Sequence, residues 1–512
     1  MHNLPGFPHS FLLGHIPIMA ETATKIPLDA HNQLAMNYLS ETYDLRKYGL
    51  FYVDLYPIQS TPLLVVCSND VATQVTQSSS TYFKKHPIVI KDFGRSFGRR
   101  GMVVLEGNEW KEVRTMFNTG FSQANLFSMV PMMAEQSEKF ADRLSKFARE
   151  GGFVASIEVL AAAVTVDIIG HAILGLDFKA QTDSPNPVIT AIIQGAKQTR
   201  SMADISPERL NLWRIAKYRY YDWVSNTAIT KMLNERWKVL RENPAQTSES
   251  NAIFDLAMAK HMKRGGKLGE ATKDFMELMR DNVKTFIFAG HDTTSSTITY
   301  ALFELSRNPE VLAALRAEHD AVLGDDPRDA TKRLKENPRI ANDLVYTTAL
   351  VKETLRYYLP ASSVRQAPSG TMLRGKDGNL YPTDNCMLWV ANSVLMHDPE
   401  HYPEPHKFMP ERFLPNSPFQ QIDKSAFRPF EKGSRDCIGQ ELAMLESRVV
   451  LAAIVRRFDF AAAYDELDKR LGRKPQMFGE EIEAYGGRAY QVLSTTAKPK
   501  DGIPMWVKER KA

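Results

Sequence analysis

Phe430-Glu431-Lys432-Gly433-Ser434-Arg435-Asp436-Cys437-Ile438-Gly439 decides how this chain is read. Its cysteine closes a loop in which Gly433 permits backbone dihedrals that other residues avoid. A helix-like run begins directly after it, at Ile438. A free thiol titrates at about 8.5 and is mostly protonated at neutral pH. A bound metal and a following helix N-terminus both favour the thiolate. Gly439 lets the start of that helix approach a flat cofactor closely, and Phe430 offers a ring to pack on its face. Arg435, two residues away, can pair with an acidic substituent. A lone cysteine is most often a structural residue in a turn. Phe, Gly, Arg, Cys and Gly in this register point instead to a thiolate that holds the iron of a haem.

The rest of the chain suits a large globular protein. It has 512 residues, 43% hydrophobic and 24% charged. Length alone suggests about three domains, but no linker, internal repeat or low-complexity tract divides it. The reading is a proline-rich leader over 1–22 (Leu4-Pro5-Gly6-Phe7-Pro8, then Pro17) and a single domain over 23–512. The net charge of +4 does not call for nucleic acid. It suits an acidic protein partner or an anionic membrane surface. Three cysteines, Cys67, Cys386 and Cys437, argue against a disulfide framework and for a reducing compartment. No stretch of about 18 uncharged apolar residues, the length that spans a bilayer, is present. The nearest candidate, 159–176, is interrupted by Asp167 and His171 and reads as a buried core helix. The N-terminus lacks the basic-then-apolar layout of a signal peptide.

Apolar periodicity predicts helices over 110–117, 132–147, 157–174, 218–241, 273–307, 309–322, 340–358 and 440–458. Strand-like runs fall at 49–55, 62–67 and 386–390, and 476–496 is mixed enough to add a small hairpin. Segments 246–251 and 265–270 read as exposed loops, and 399–418 as an irregular, ordered one. The fold is therefore mainly α with a small β region. At 35 residues, 273–307 is far longer than the usual helix of about 12 and is apolar on several faces, so it crosses the middle of the protein. It contains Ala289-Gly290-His291-Asp292-Thr293-Thr294. Glycine inside a helix costs about 1 kcal/mol relative to alanine, and threonine hydroxyls bond back to the i−4 carbonyl or open the ladder to water. The result is a groove with a hydroxyl and a carboxylate beside it, able to pass protons. The bland alternative is a kink with solvated polar residues. His291 has no assigned role beyond a core or solvent contact.

The decapeptide resembles the haem-binding signature FxxGxRxCxG of the cytochrome P450 family, with every fixed position matched. The resemblance implies a triangular-prism fold with haem b between the long distal helix and the cysteine-loop helix, and Cys437 as the proximal metal ligand. Such a thiolate pushes electron density toward iron and favours O–O cleavage, the handling of dioxygen for which this family is the standing example. Ala289-Gly290-His291-Asp292-Thr293 resembles the family's AGxDT segment, which implies that Thr293 hydrogen-bonds the iron-bound oxygen and Asp292 relays protons. Glu353-Thr354-Leu355-Arg356 is an ExxR. On its own that is a weak pattern, because Glu304/Arg307 and Glu336/Arg339 share the spacing. Its place before Pro410-Glu411-Arg412-Phe413, similar to the family's PERF segment, assigns Glu353, Arg356 and Arg412 to a structural charge cluster. Trp110-Lys111-Glu112-Val113-Arg114 matches a WxxxR helix, implying that Trp110 and Arg114 reach a haem propionate, and Arg365 resembles a further propionate-binding arginine. Phe430, Gly433, Arg435 and Gly439 complete the cofactor-binding set. Met396-His397-Asp398-Pro399 also looks like the family's stretch before PERF, without an assignable chemistry.

The resemblance implies a monooxygenase that places one atom of O2 into a hydrophobic small-molecule substrate and releases the other as water. Electrons come from NADPH through a separate flavoprotein reductase, since no flavin or nicotinamide fingerprint is present. Charge sign alone suggests that Arg435, Lys432 and Arg448 dock that partner. Substrate lining is expected from 90–103, 198–221, 286–293 and 361–366. The family resemblance further implies a monomer at the cytosolic face of the endoplasmic reticulum membrane with peripheral contact, of the fungal secondary-metabolism type. Two other readings stay open: a haem-thiolate isomerase or dehydratase that does not use O2, and a non-catalytic haem-binding protein.

Overall fold

The computed structural model describes residues 4–184, 186–198, 211–243, 250–263, 272–417, 419, 423, 425–474 and 479–510. Helices dominate, and the long helix Lys273–Arg307 runs through them. Its N-cap is Thr272, whose side chain accepts from the Phe275 N–H, and Pro309 opens the next helix, Pro309–Leu323. Most of its residues are buried, as its apolar faces require. The helix Ile157–Leu174 packs along it and carries apolar residues on all sides, as a core helix does. Where the two meet, a Cβ on Gly290 would stand 2.7 Å from Ile169 Cδ1. That close approach explains a glycine in mid-helix.

The expected strands form one edge of the molecule. β1 (Leu50–Val53) pairs antiparallel with β2 (Leu63–Val66), and β2 pairs parallel with Met387–Val390. Ser363–Gln366 and then Lys84–Lys85 extend the sheet to five strands. The inner strands are almost wholly buried, which fits their continuous apolar runs. The mixed C-terminal region contains a short helix, Glu480–Glu483, and a hairpin of Gln491–Leu493 with Ala497–Pro499.

Several bounds differ from expectation. The helix expected over 340–358 is two elements, a 3-10 turn Pro338–Asn342 and the helix Val345–Tyr357. The helix expected from 218 begins at Leu212, capped by Asn211. The cysteine-loop helix is Gln440–Ile454, ending before the strand Phe458–Ala462. In the leader, Phe7 is buried, the Pro5 carbonyl accepts from Tyr52 N–H, and the helix Ile16–Lys25 spans residue 22. The loop expected over 265–270 and most of that over 246–251 lie outside the described residues.

Candidate active site

Cys437 stands on the floor of a cavity of about 360 Å³, within the usual size of small-molecule sites. The loop that carries it is fixed from both sides. Cys437 N–H donates to the Phe430 carbonyl at 2.9 Å. Gly433 takes φ +87°, and a Cβ there would come 2.1 Å from the Thr76 carbonyl oxygen, so only glycine fits. A Cβ on Gly439 would meet only the Cys437 sulfur, 3.9 Å away, and would project into the cavity. Burial pushes the Cys437 thiol up, while hydrogen bonding from the Gly439 backbone and the nearby Arg114 pull it down. A metal at the sulfur would settle that contest in favour of the thiolate.

One edge of the cavity is cationic. Trp110 and Arg114 sit on the helix Gly107–Phe117, and Arg114 holds the Asp436 carboxylate at 2.8 Å. The Arg435 guanidinium lies 3.9 Å from the Trp110 ring centroid and pairs with Glu106 at 2.7 Å. Arg365 is buried, and its Nη1 has no hydrogen-bond partner among the described residues; neither has Arg435 Nε. Sequence reasoning missed Lys85. It sits opposite Arg365 in the antiparallel register and lines the same wall. Burial, with Arg435 and Arg365 adding to it, pushes Lys85 down to about 7 against the pull of Glu106. No local pattern around Lys84-Lys85-His86 marks it, because only the strand pairing brings it to Arg365.

The roof is the long helix. Thr285, Phe286, Ala289, Gly290, Thr293 and Thr294 line it, with Ile169 and Phe121 beside them. The Thr293 hydroxyl donates to the Ala289 carbonyl at 2.9 Å. Asp292 is not on this wall. Its carboxylate points behind the helix to Lys498 Nζ at 2.8 Å. Burial raises the Asp292 pKa, but Lys498 and His291 outweigh it and hold the group below the usual carboxylate range. His291 is buried against the Ile287 carbonyl, 2.7 Å away, a core contact. At the far end Glu446 lines the cavity, buried, with Oε1 unpartnered among the described residues, and burial drives its pKa well up. An acid on a largely apolar helix was the only sequence signal for it.

Of the four expected lining segments, 90–103 contributes Met102 and Val103, 286–293 contributes the roof, and 361–366 contributes Ala361, Ser362, Ser363 and Arg365. Residues 199–210 of the fourth segment lie outside the description, and its described part does not reach the cavity. Phe93, Phe97 and Phe288 instead form a small cluster of their own. The docking face drawn from charge sign also changes. Arg448 turns inward to the carbonyls of Met444 and Ala341, and Arg435 is buried against Glu106. Both have found internal acceptors, so of the three only Lys432 is left to offer charge outward.

Below the site, Arg356 makes a two-point contact with Glu353 at 2.7 and 2.8 Å, and Arg412 approaches the same carboxylate at 3.4 Å. Main-chain carbonyls of Met396, Pro405 and Glu404 take further guanidinium protons, and all three side chains are fully buried. Glu304, of the competing pair, meets Arg307 only at 3.8 Å and hydrogen-bonds Tyr358 and Asn308.

A cysteine on the floor, two arginines with an unpartnered nitrogen each along one edge and an apolar roof fit a flat, iron-bearing dicarboxylate. The thiolate supplies a metal ligand, and two carboxylates would satisfy Arg365 and Arg435. This is the architecture of a haem-thiolate protein. A family model described as Cytochrome P450 matches residues 12–479. Cytochrome P450 monooxygenase acrF of Aspergillus aculeatus is 37% identical over 94% of this chain and 98% of its own length. Cytochrome P450 monooxygenase polC of Polytolypa hystricis is 33% identical over 98% and 88%. The crystal structure of the cytochrome P450DA heme domain superposes with a TM-score of 0.75 over 99% of this chain and 98% of that one, at 20% identity. The chain belongs to the cytochrome P450 family, and it is a monooxygenase of that family.

Proposed function

We propose that this enzyme inserts one atom of O2 into a hydrophobic small molecule, with haem b held by Cys437 and electrons delivered from NADPH by a separate flavoprotein reductase. The observation that carries this reading is the Cys437 sulfur facing an apolar cavity at whose cationic edge Arg365 Nη1 and Arg435 Nε have no partner among the described residues. The haem, once bound, supplies the activation of dioxygen. The chain's own groups do the rest. Arg114, Arg365, Arg435 and Lys85, with the Trp110 N–H, orient it by its carboxylates. Phe121, Ile169 and Phe286 exclude water and bind the substrate's apolar body. Thr293 presents a hydroxyl beside Gly290, and the Asp292 carboxylate next to it accepts and passes on protons as the relay.

The enzyme acts as a single domain and a monomer, of the fungal secondary-metabolism type. Peripheral contact with the cytosolic face of the endoplasmic reticulum membrane suits the exposed Phe11, Leu12 and Leu13 and the aromatics Trp213 and Trp223. The deciding experiment is the carbon monoxide difference spectrum of the dithionite-reduced protein. A Soret band at the far-red position of thiolate-ligated iron supports the reading. A band at the histidine-ligated position overturns it. Turnover of a hydroperoxide without reductase, and none with O2, would favour an isomerase or dehydratase.

A further inference from the structure

Thr293 lines the cavity while Asp292, one residue away, faces the other side of the helix. What it meets there comes from the C-terminal hairpin. Lys498 Nζ lies 2.8 Å from Asp292 Oδ1, 2.7 Å from the Asp292 carbonyl oxygen and 2.8 Å from Glu158 Oε1. Ser295 Oγ stands 3.4 Å away as a fourth neighbour, so the three ammonium protons are shared among Asp292, Glu158 and Ser295. The hydroxyl of Thr496, two residues earlier on the hairpin, donates to Asp292 Oδ2. The side chains of Lys498, Asp292 and Glu158 are 14%, 13% and 19% exposed, so the pairing is screened little by solvent. Between Thr496 and Lys498, the Ala497 N–H donates to the Pro360 carbonyl at 2.9 Å. Pro360 lines the cavity, as do Ala361, Ser362 and Ser363 after it. Three consecutive residues of the hairpin, Thr496, Ala497 and Lys498, therefore hold the acid and the cavity wall together.

We propose that Lys498 is a positioning residue for the Asp292–Thr293 turn: it fixes the Asp292 carboxylate behind the long helix as an ion and couples it, through the hairpin, to the Pro360–Ser363 wall. This rests on the reading of Asp292 and Thr293 as the proton-supplying pair. The groups facing Asp292 are Lys498 and Thr496 from the hairpin, Glu158 from the helix Ile157–Leu174, and His291 from its own helix. Burial favours the neutral acid, and Lys498 is the foremost charge opposing it. Without Lys498 the acid takes up a proton nearer neutrality. A ligand pressing on the Pro360 wall would displace the same strand and loosen the same hold.

The test is an infrared pH titration of the haem-loaded protein as wild type, Lys498→Met and Lys498→Arg, each subtracted from its own Asp292→Asn partner to isolate one carboxyl. The protonated carboxyl band in Lys498→Met should titrate about 1–3 pH units above wild type, the effect of removing an adjacent opposite charge. Lys498→Arg should return it. An unchanged midpoint in Lys498→Met, or no recovery with arginine, overturns the proposal. Should Lys498→Met fail to fold, the near-isosteric Asp292→Asn alone still decides. Its stability deficit relative to wild type should be present at neutral pH and fade as pH falls through the depressed carboxylate range. A deficit that stays flat with pH overturns the proposal equally. If only the proton-supply reading is wrong, Asp292→Asn leaves hydrogen peroxide released per NADPH oxidised unchanged. The carboxyl titration still follows Lys498 in that case, which supports the positioning role.

Discussion

Two groups of buried arginines stand in this core, and they differ in how far a shared carboxylate of the chain answers them. Arg356 and Arg412 are fully buried, share the Glu353 carboxylate and donate to main-chain carbonyls, and the one Arg412 nitrogen without a hydrogen bond, Nε, still lies 3.4 Å from that carboxylate. Arg365 and Arg435 are almost as buried, yet each keeps a nitrogen without an acceptor among the described residues, and Lys85 beside them is pushed toward neutrality. A satisfied charge network fixes a fold. An unsatisfied one is a binding site waiting for its anion, since an unpaired buried donor carries its full desolvation cost. The first group therefore belongs to the architecture and the second to the cofactor, although both are arginines in one core.

The largest effect should come from breaking the satisfied group. Glu353→Gln leaves two buried guanidinium groups without their counter-ion and should cost about 3–5 kcal/mol. Urea unfolding of the haem-free protein reads this directly, and the loss should be the same whether or not haem is later offered. A variant that unfolds at the wild-type midpoint would remove the distinction between the two groups.

Cys437→Ala should do the reverse. Its thiol meets only backbone donors, at Gly439 and Gln440, so haem-free stability should move by less than about 1 kcal/mol. The thiolate signature in the carbon monoxide difference spectrum should vanish completely. A variant that kept that signature would mean another group holds the iron.

Arg365→Met sharpens the comparison within the second group. It removes a buried guanidinium with an unused donor, so the haem-free protein should be as stable as wild type or more so. Hemin affinity should fall by roughly ten- to a hundredfold, matching about 1.5–3 kcal/mol for a hydrogen bond to a charged group. Stability that drops along with affinity would place Arg365 with the architecture instead.

The first group and both arginines of the second are legible in the sequence, and Lys85 is not, for a physical reason. Cys437, Gly433 and Gly439 are legible because a loop forced into φ +87° at Gly433 and a helix start open to a cofactor leave marks on adjacent positions. Glu353 and Arg356 are legible because they are one helical turn apart. The strands at 50–53, 63–66 and 387–390 are legible because burial on both faces leaves unbroken apolar runs. Lys85 and Lys498 are not legible, since each acts through a partner more than 200 residues away, brought near by strand pairing for Lys85 and by packing of the C-terminal hairpin on the long helix for Lys498. The inward turn of Arg448 is equally hidden, because its acceptor is the Ala341 carbonyl, which has no side-chain identity to read. The break near residue 343 was missed because the apolar period runs through it, while Pro338 holds the preceding turn in a 3-10 form.

The last comparison is in pH dependence, and it isolates Lys85. Its folded-state value of about 7 lies below the unfolded lysine value of about 10.4. Between those values the unfolded chain binds more protons than the folded one, so stability rises with pH across that window. The haem-free protein should therefore gain stability from about pH 7 to about pH 10 by this group's contribution, and Lys85→Met should flatten that slope. Haem loading should flatten it too, because a carboxylate beside Lys85 restores its charge and lifts its folded-state value. Thermal midpoints of the four samples, wild type and Lys85→Met with and without haem, compare the two causes directly. If haem leaves the wild-type slope intact, Lys85 does not meet a carboxylate of the cofactor. The cationic edge would then consist of the arginines alone.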